Sequence, residues 1–255
     1  MRKSGILLPV FSLPSPHGIG TFGKAAFRFV DFLKAAGQRY WQILPLHPTG
    51  FGDSPYQCFS AFAGNPYFID LDILCDEGLL LPEEIEAAAL GLDTGCVDYG
   101  RQYARRFPLL RRAFSRFVPG AAFAAFCAKE DKWLSPYARF MALKTANDGA
   151  PWNAWKEKTA APDEVRFWQF LQYHFFAQWQ AVKDYANAAG IEIIGDMPMY
   201  VAYDSADVWE TPEQFLLDER GLPLLVAGCP PDAFSADGQL WGNPIYDWAY
   251  MARQT

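Results

Sequence analysis

The chain reads as an α/β fold built on a parallel sheet, and three observations carry that reading. An apolar run at Gly5–Val10 is followed by helical spacing from Lys24 to Ala36 and by a second run at Arg39–Leu44. Strand, helix, strand in that order implies parallel pairing with a right-handed crossover. Further on, Ile191, Ile193 and Ile194 form a short β-branched run behind Gly190, the pattern of a parallel strand buried on both faces. Between the second and third runs, the stretch from Pro82 to Gly190 carries mainly helical spacing, a helical insertion between two strands of one sheet.

Each element has a local reason. In the first helix Phe29, Phe32, Leu33 and Ala36 share one face, and Gly37 ends it. Pro45 closes the second strand because it has no N–H to donate. Pro82-Glu83-Glu84 opens a helix, with proline at its first position and acids at the positive end of the dipole. From Val165 to Ala189, residues Trp168, Leu171, Phe175, Trp179, Val182 and Ala186 keep the three-four spacing of a long amphipathic helix. His174 lies within it as a packed structural residue. Arg101, Arg105, Arg106, Arg111, Arg112 and Arg116 read as solvated helix faces.

The punctuation between these elements marks candidate sites. Ser12–Gly23, His47–Asn65 and Val226–Asp237 are rich in Gly, Pro and Ser and read as loops. A long loop at the C-terminal end of a strand is where α/β proteins bind ligands. His47 has no second His or Cys at metal spacing, so it is assigned a structural hydrogen bond. The third strand stops at Gly195, and Asp196 stands at its C-terminal lip, the end that carries chemistry in βα barrels. Tyr200, Tyr203, Asp204, Ser205 and Asp207 follow closely. Asp196 and Asp204 read equally well as helix caps, with Ser205-Ala206-Asp207 as a helix start. Trp241, beside Gly242-Asn243-Pro244, is hard to place in a core, and plugging an end of the sheet is the alternative.

Composition bounds the function. Of 255 residues, 51% are hydrophobic, 20% charged and 16% aromatic, and the formal net charge is −7. An acidic chain without a basic stripe argues against a nucleic-acid partner. Its aromatic wealth suits flat, hydroxylated ligands such as sugars. Five cysteines without a C-x-x-C pattern suggest neither a disulfide framework nor a zinc site, which fits a reducing cytoplasm. The start, MRKSGILLPVFSLPSP, resembles a signal peptide only until Pro9 interrupts it. No apolar run reaches membrane-spanning length.

Three blocks, YWQILPLHPTGFGDSPYQCFSAFAGNPYFIDLDIL, IIGDMPMYVAYDSADVW and VAGCPPDAFSADGQLWGNPIYDW, closely resemble the amylomaltase family of bacterial 4-α-glucanotransferases. The resemblance runs through essentially the whole chain. It implies an incomplete (β/α)8 TIM barrel, its first three strands, with a large inserted helical subdomain. Residues 1–64 and 187–255 would form the partial barrel and 65–186 the insertion. It implies a cytoplasmic enzyme of retaining chemistry that passes α-1,4-glucan segments to an acceptor glucose or maltooligosaccharide. In such chemistry two carboxylates stand about 5 Å apart. Carried over, Ser54 and Tyr56 line the sugar cleft and Asp196 supports the active-site network. Gln239, Trp241 and Asn243 lie in and after a loop that folds over the glucan, with Asp232 and Phe234 at its tip. The family needs no cofactor, and the sequence holds no metal-ligand cluster.

The resemblance assigns the catalytic carboxylates to later barrel strands. Too few residues follow Asp196 for five further strand–helix units at about 30 residues per βαβ. The expectation is therefore the N-terminal half of a glucanotransferase, with no catalytic residue in this chain and with its outer strand faces poorly covered. A non-catalytic α-glucan-binding protein stays open beside it. So does a hydrolase using Asp196 with Asp204 or Asp207, although residues three apart suit one helical turn better than opposed positions across a sugar ring.

Overall fold

The computed structural model describes residues 2–91 and 95–254. Its sheet has the order β1 (Gly5–Leu7), β2 (Tyr40–Gln42), β3 (Glu192–Ile194), all parallel. Ile6 faces Trp41 and Trp41 faces Ile193 across the two ladders. The helix Lys24–Ala35 makes the first crossover. Trp41 fixes this unit: its ring is fully buried against Phe29, and its Nε1–H donates to the Leu8 carbonyl at 2.8 Å. The strands are shorter than the apolar runs. The ladders still extend through Leu8 N to Gln42 O and Ile43 N to Ile194 O, but Pro9 and Pro45, next along, have no N–H to carry them on.

One expectation is corrected here. β3 is not buried on both faces: Glu192 is exposed, Ile193 half-buried and Ile194 43% exposed. Its only ladder partner among the described residues is β2, and a hydrophobic run cannot show whether a second layer exists to cover it.

The described chain divides into two compact units, Met1–Leu46 with Gly64–Glu130 and Gln169–Met197, and His47–Ala63 with Asp131–Trp168 and Pro198–Thr255. The helices Ala121–Ala146 and Pro162–Ala188 each contribute to both. In the first unit the helix Pro162–Ala188 presents Phe175 and Trp179 to Phe22, with centroids 5.1 Å apart in each pair. Two buried glutamines on that helix satisfy an adjoining extended segment. Gln172 bonds both the N–H and the carbonyl of Gly64, and Gln178 does the same at Asp70. Backbone groups without a ladder are thereby paired, as burial requires.

The arginine reading fails at one position. Arg106 is fully buried, donating through Nη2 to the Ile69 carbonyl and through Nη1 to Gln102 Oε1. It sits in a π-helical turn, Gln102–Arg106, which shifts the helix face relative to regular spacing. Burial lowers its pKa to about 10, with Asp70 opposing the shift.

In the second unit Val201, Val208 and Phe215 form a buried cluster flanked by Ala61, Trp152, Tyr203, Leu217 and Tyr246. Phe140 adds contacts to Phe59, Trp155 and Trp209. Val226–Asp237, expected as loop, instead opens with strand β4 (Val226–Cys229), which pairs antiparallel with β5 (Gln239–Pro244). Glycines and prolines hid this hairpin because neither strand alternates apolar and polar residues.

His174 is packed against Phe117, Phe170 and Tyr173, as the sequence predicts. Burial pushes its pKa down to about 4. At neutral pH its Nδ1, 3.3 Å from Glu77 Oε2, therefore belongs to a neutral ring. A depressed histidine pKa means the unfolded chain binds the proton first, so stability is lost as pH falls from about 6.5 to about 4. The site accounts for up to about 3 kcal/mol over that window. His174→Phe should retain more of its neutral-pH stability at pH 4.5 than the parent does, measured by urea unfolding at both pH values.

Candidate functional site

The sequence-predicted site residues fall into three groups. The hairpin carries Asp232, Phe234, Gln239, Trp241 and Asn243, and the segment before Cys58 carries Ser54 and Tyr56. Both groups belong to the second unit, whereas Asp196, half-buried just beyond β3, belongs to the first.

The hairpin tip is shaped by its own bonds. Asp232 Oδ1 accepts the N–H groups of Phe234 and Ser235 at 2.8 Å each, and Ser235 Oγ donates to the Gly238 carbonyl. Gly238 has φ of +72°, and a Cβ there would lie 2.5 Å from the Cys229 carbonyl oxygen, so the turn requires glycine. Phe234 stands out at 97% exposure. Asp232 therefore shapes the tip that presents an apolar ring to solvent.

At the base of β5, Trp241 is 37% exposed, and its Nε1–H donates to Gln239 Oε1 at 3.1 Å. It is not a buried plug. The backbone beneath it is held from the preceding loop: Gln57 Nε2 donates both to the Trp241 carbonyl and to Asn243 Oδ1, each at 3.0 Å. Asn243 is buried, and its Nδ2 donates to the Val201 carbonyl at 2.9 Å. Both ends of its amide are thus engaged inside the protein, so it positions Trp241.

Ser54 and Tyr56 lie in a tight turn in which Ser54 Oγ accepts the Tyr56 N–H at 3.3 Å, and the Tyr56 ring is exposed. Gly50 N–H donates to the Gln57 carbonyl, closing this turn and setting the place of Gln57. His47 Nδ1 lies 3.2 Å from the Ala63 carbonyl, and burial lowers its pKa. It is the structural bond expected of it.

The other acids after β3 are engaged in the framework. Ser205 caps the helix Ala206–Glu210 by accepting the Val208 N–H. Asp204, read as a possible cap, instead takes Lys144 Nζ at 2.5 Å and the Trp152 N–H. Lys144 is buried under the rings of Phe59 and Phe140. Asp207 accepts the Ala61 N–H at 3.0 Å, and burial raises its pKa. In this unit Asp204 and Asp207 are held by bonds of their own, which leaves the hydrolase reading without a poised pair. Gln57 and Lys144 escaped the sequence reading. Gln57 stands inside the SPYQ match and could have been found there, but nothing in the sequence marks Lys144 as buried. Among the described residues, no group of three or more His, Cys, Asp or Glu side chains is arranged to hold a metal ion, and no helix is long and apolar enough to cross a membrane.

The parallel sheet, the long helices between its second and third strands and the antiparallel hairpin define an α/β class of protein. The profile of 4-alpha-glucanotransferases, glycoside hydrolase family 77, matches residues 8–255, and the chain belongs to that family. It is similar to the 4-alpha-glucanotransferase of Clostridium butyricum, 50% identical over 260 residues, covering 96% of this chain and 53% of that protein. The Thermus thermophilus 4-alpha-glucanotransferase is 51% identical over 272 residues, covering 99% of this chain and 53% of that protein. Among solved structures, the amylomaltase from Streptococcus agalactiae in complex with acarbose superposes with a TM-score of 0.94 at 42% identity, over all of this chain and 55% of its own. The chain thus spans about half the length of the curated relatives it matches.

Asn243→Ala should lower stability by about 1–3 kcal/mol, because it strands the buried Val201 carbonyl and takes one of its two acceptors from the Gln57 amide. Trp241→Ala, at an exposed position, should cost about 1 kcal/mol or less. Thermal melts of the two variants side by side check this ordering.

Proposed function

We propose that this chain is the glucan-positioning part of a 4-α-glucanotransferase. In the whole protein, α-1,4-glucan segments pass to an acceptor glucose or maltooligosaccharide by a retaining double displacement. The observation that carries the proposal is Trp241, a partly exposed flat ring whose backbone is clamped by Gln57 and Asn243, in a chain of this family. Such a ring stacks on the apolar face of a pyranose, while Gln239 and the Tyr56 hydroxyl supply bonds to sugar hydroxyls. Ser54 shapes the turn that presents Tyr56, and Phe234 would close over the chain from the hairpin tip. Asp196 would support the active-site network from the end of β3. The Streptococcus agalactiae amylomaltase was solved in complex with acarbose, which suits this reading.

The proposal includes the architecture. β1, β2 and β3 would be three strands of a (β/α)8 barrel, with residues 1–64 and 187–255 in its wall and 65–186 as a helical insertion. The exposed edge at Ile194 suits a strand that pairs further in the complete barrel. Nucleophile and acid/base would come from the part of the family's length that this chain does not span, since Asp204 and Asp207 are bound up in the framework. The setting would be cytoplasmic, with no cofactor.

Over a bound glucan, the Trp241 face would also exclude water, which favours transfer over hydrolysis when either can resolve the covalent intermediate. For the 255-residue chain, calorimetric titration with maltoheptaose should show binding that Trp241→Ala weakens by roughly 1–3 kcal/mol. Unchanged affinity in that variant would overturn the assignment of Trp241. The same chain should release no glucose from maltotriose at an enzyme-like rate, and turnover would return the carboxylates of this chain to candidacy.

A further inference from the structure

Lys144 is 8% exposed near the end of the helix Ala121–Ala146, and its ammonium has an acceptor for each of its three N–H donors. Nζ donates to Asp204 Oδ2 at 2.5 Å and to the carbonyls of Gly149 and Ala150 at 3.0 and 3.3 Å. It also lies 5.1 Å from the centroid of the Phe59 ring. Two of these neighbours lead to Trp241. Asp204 belongs to the stretch whose Val201 carbonyl receives Asn243 Nδ2. Phe59 stands two residues after Gln57, whose amide donates to the Trp241 carbonyl and to Asn243 Oδ1. The Ala206 N–H joins the two segments directly, donating to the Phe59 carbonyl at 2.8 Å. All of these residues belong to the second unit.

A buried ammonium needs a reason, because a well-packed apolar side chain in place of a buried ion pair is often as stable or more so. What an apolar side chain lacks is direction. The Lys144 bonds fix two carbonyls of the turn after its helix and a carboxylate of the stretch after β3, and a methionine of similar length would hold none of them. Asp204 passes the constraint on. Its Oδ1 accepts the Trp152 N–H at 3.2 Å, and the Trp152 Nε1–H donates to the Tyr203 carbonyl at 2.9 Å. The stretch from Val201 to Asp204 thus takes its place from Lys144 and Trp152, and gives Asn243 its own.

We propose that Lys144 is a positioning residue for Trp241. Its buried ammonium sets the stretch that carries the Val201 carbonyl and, through Asn243 and Gln57, the angle at which the Trp241 ring meets a glucan. The inference rests on the reading of Trp241 as the sugar platform. Stacking depends on the tilt of the ring, so a small displacement weakens binding without removing any contacting group.

Fluorine NMR of the 255-residue chain labelled with fluorotryptophan tests this, together with melting curves and maltoheptaose titrations of each variant. Trp241→Phe identifies the Trp241 resonance by deleting it. Lys144→Met should shift or broaden that resonance in the folded, sugar-free protein. It should also weaken maltoheptaose binding by about threefold, less than Trp241→Ala does. In the Trp241→Ala background Lys144→Met should add nothing, since the two act through one ring. Asp204→Asn keeps an acceptor for the Trp152 N–H and removes only the charge facing Lys144. It should therefore fold even if Lys144→Met does not, and move the same resonance to a smaller degree. A packing role alone predicts lower melting temperatures, shifted Trp152 and Trp155 resonances and an unmoved Trp241 resonance. That result, in whichever of the two variants folds, overturns the proposal. Unchanged affinity in Trp241→Ala removes the platform instead, and the Trp241 resonance then still decides whether Lys144 positions the ring.

Discussion

The amide of Asn243 is the constraint on which the candidate site depends. Through Nδ2 it holds the Val201 carbonyl, and through Oδ1 it takes the Gln57 amide, which in turn holds the Trp241 carbonyl. Three segments far apart in sequence meet at one buried planar group whose donor and acceptor directions are fixed. A platform that must present an aromatic face at a set angle gains from such a support, because misplacement costs as much as a weak contact. The exposed part of the site is therefore only as ordered as its buried amide.

The same logic continues outward. Val201 belongs to the Val208–Phe215 cluster, and Asp204, three residues on, is tied to Lys144 and the Trp152 N–H. A lysine buried beneath two phenyl rings would be expensive if unpaired. Here it has the Asp204 carboxylate and the carbonyls of Gly149 and Ala150. Removing one partner of such a pair costs more than the pair itself is worth, so the polar framework resists partial loss. Irregular backbone after a short strand is tolerable only because its carbonyls and N–H groups are met in this way.

The first unit solves the same problem with neutral side chains. Gln172 and Gln178 each complete the bonding of a peptide group in an extended segment. Side-chain amides can do this without the desolvation cost of a charge. Arg106 is the exception, a cation admitted where the Ile69 carbonyl and Gln102 receive it and Asp70 lies near enough to favour its charge.

By itself the sequence determined the alternation of strand and helix, the parallel order that follows from a crossover helix, the long aromatic-faced helix and the family, through three blocks of spaced motifs. These are local or nearly local properties: apolar period, glycine and proline stops, and residue identity at fixed separation. Only the tertiary structure decided that Val226–Cys229 pairs with Gln239–Pro244, that Arg106 is buried among arginines that read alike, that Ser205 rather than Asp204 caps its helix, and that the Asn243 amide joins Gln57 to the Val201 carbonyl. Each of those depends on a partner distant in the chain, and a side chain's hydrogen-bonding capacity carries no mark of which partner will fill it. Burial and pairing are settled between segments. For that reason Trp241 was legible as a ring out of place, while the Gln57 and Lys144 contacts that hold its surroundings were not.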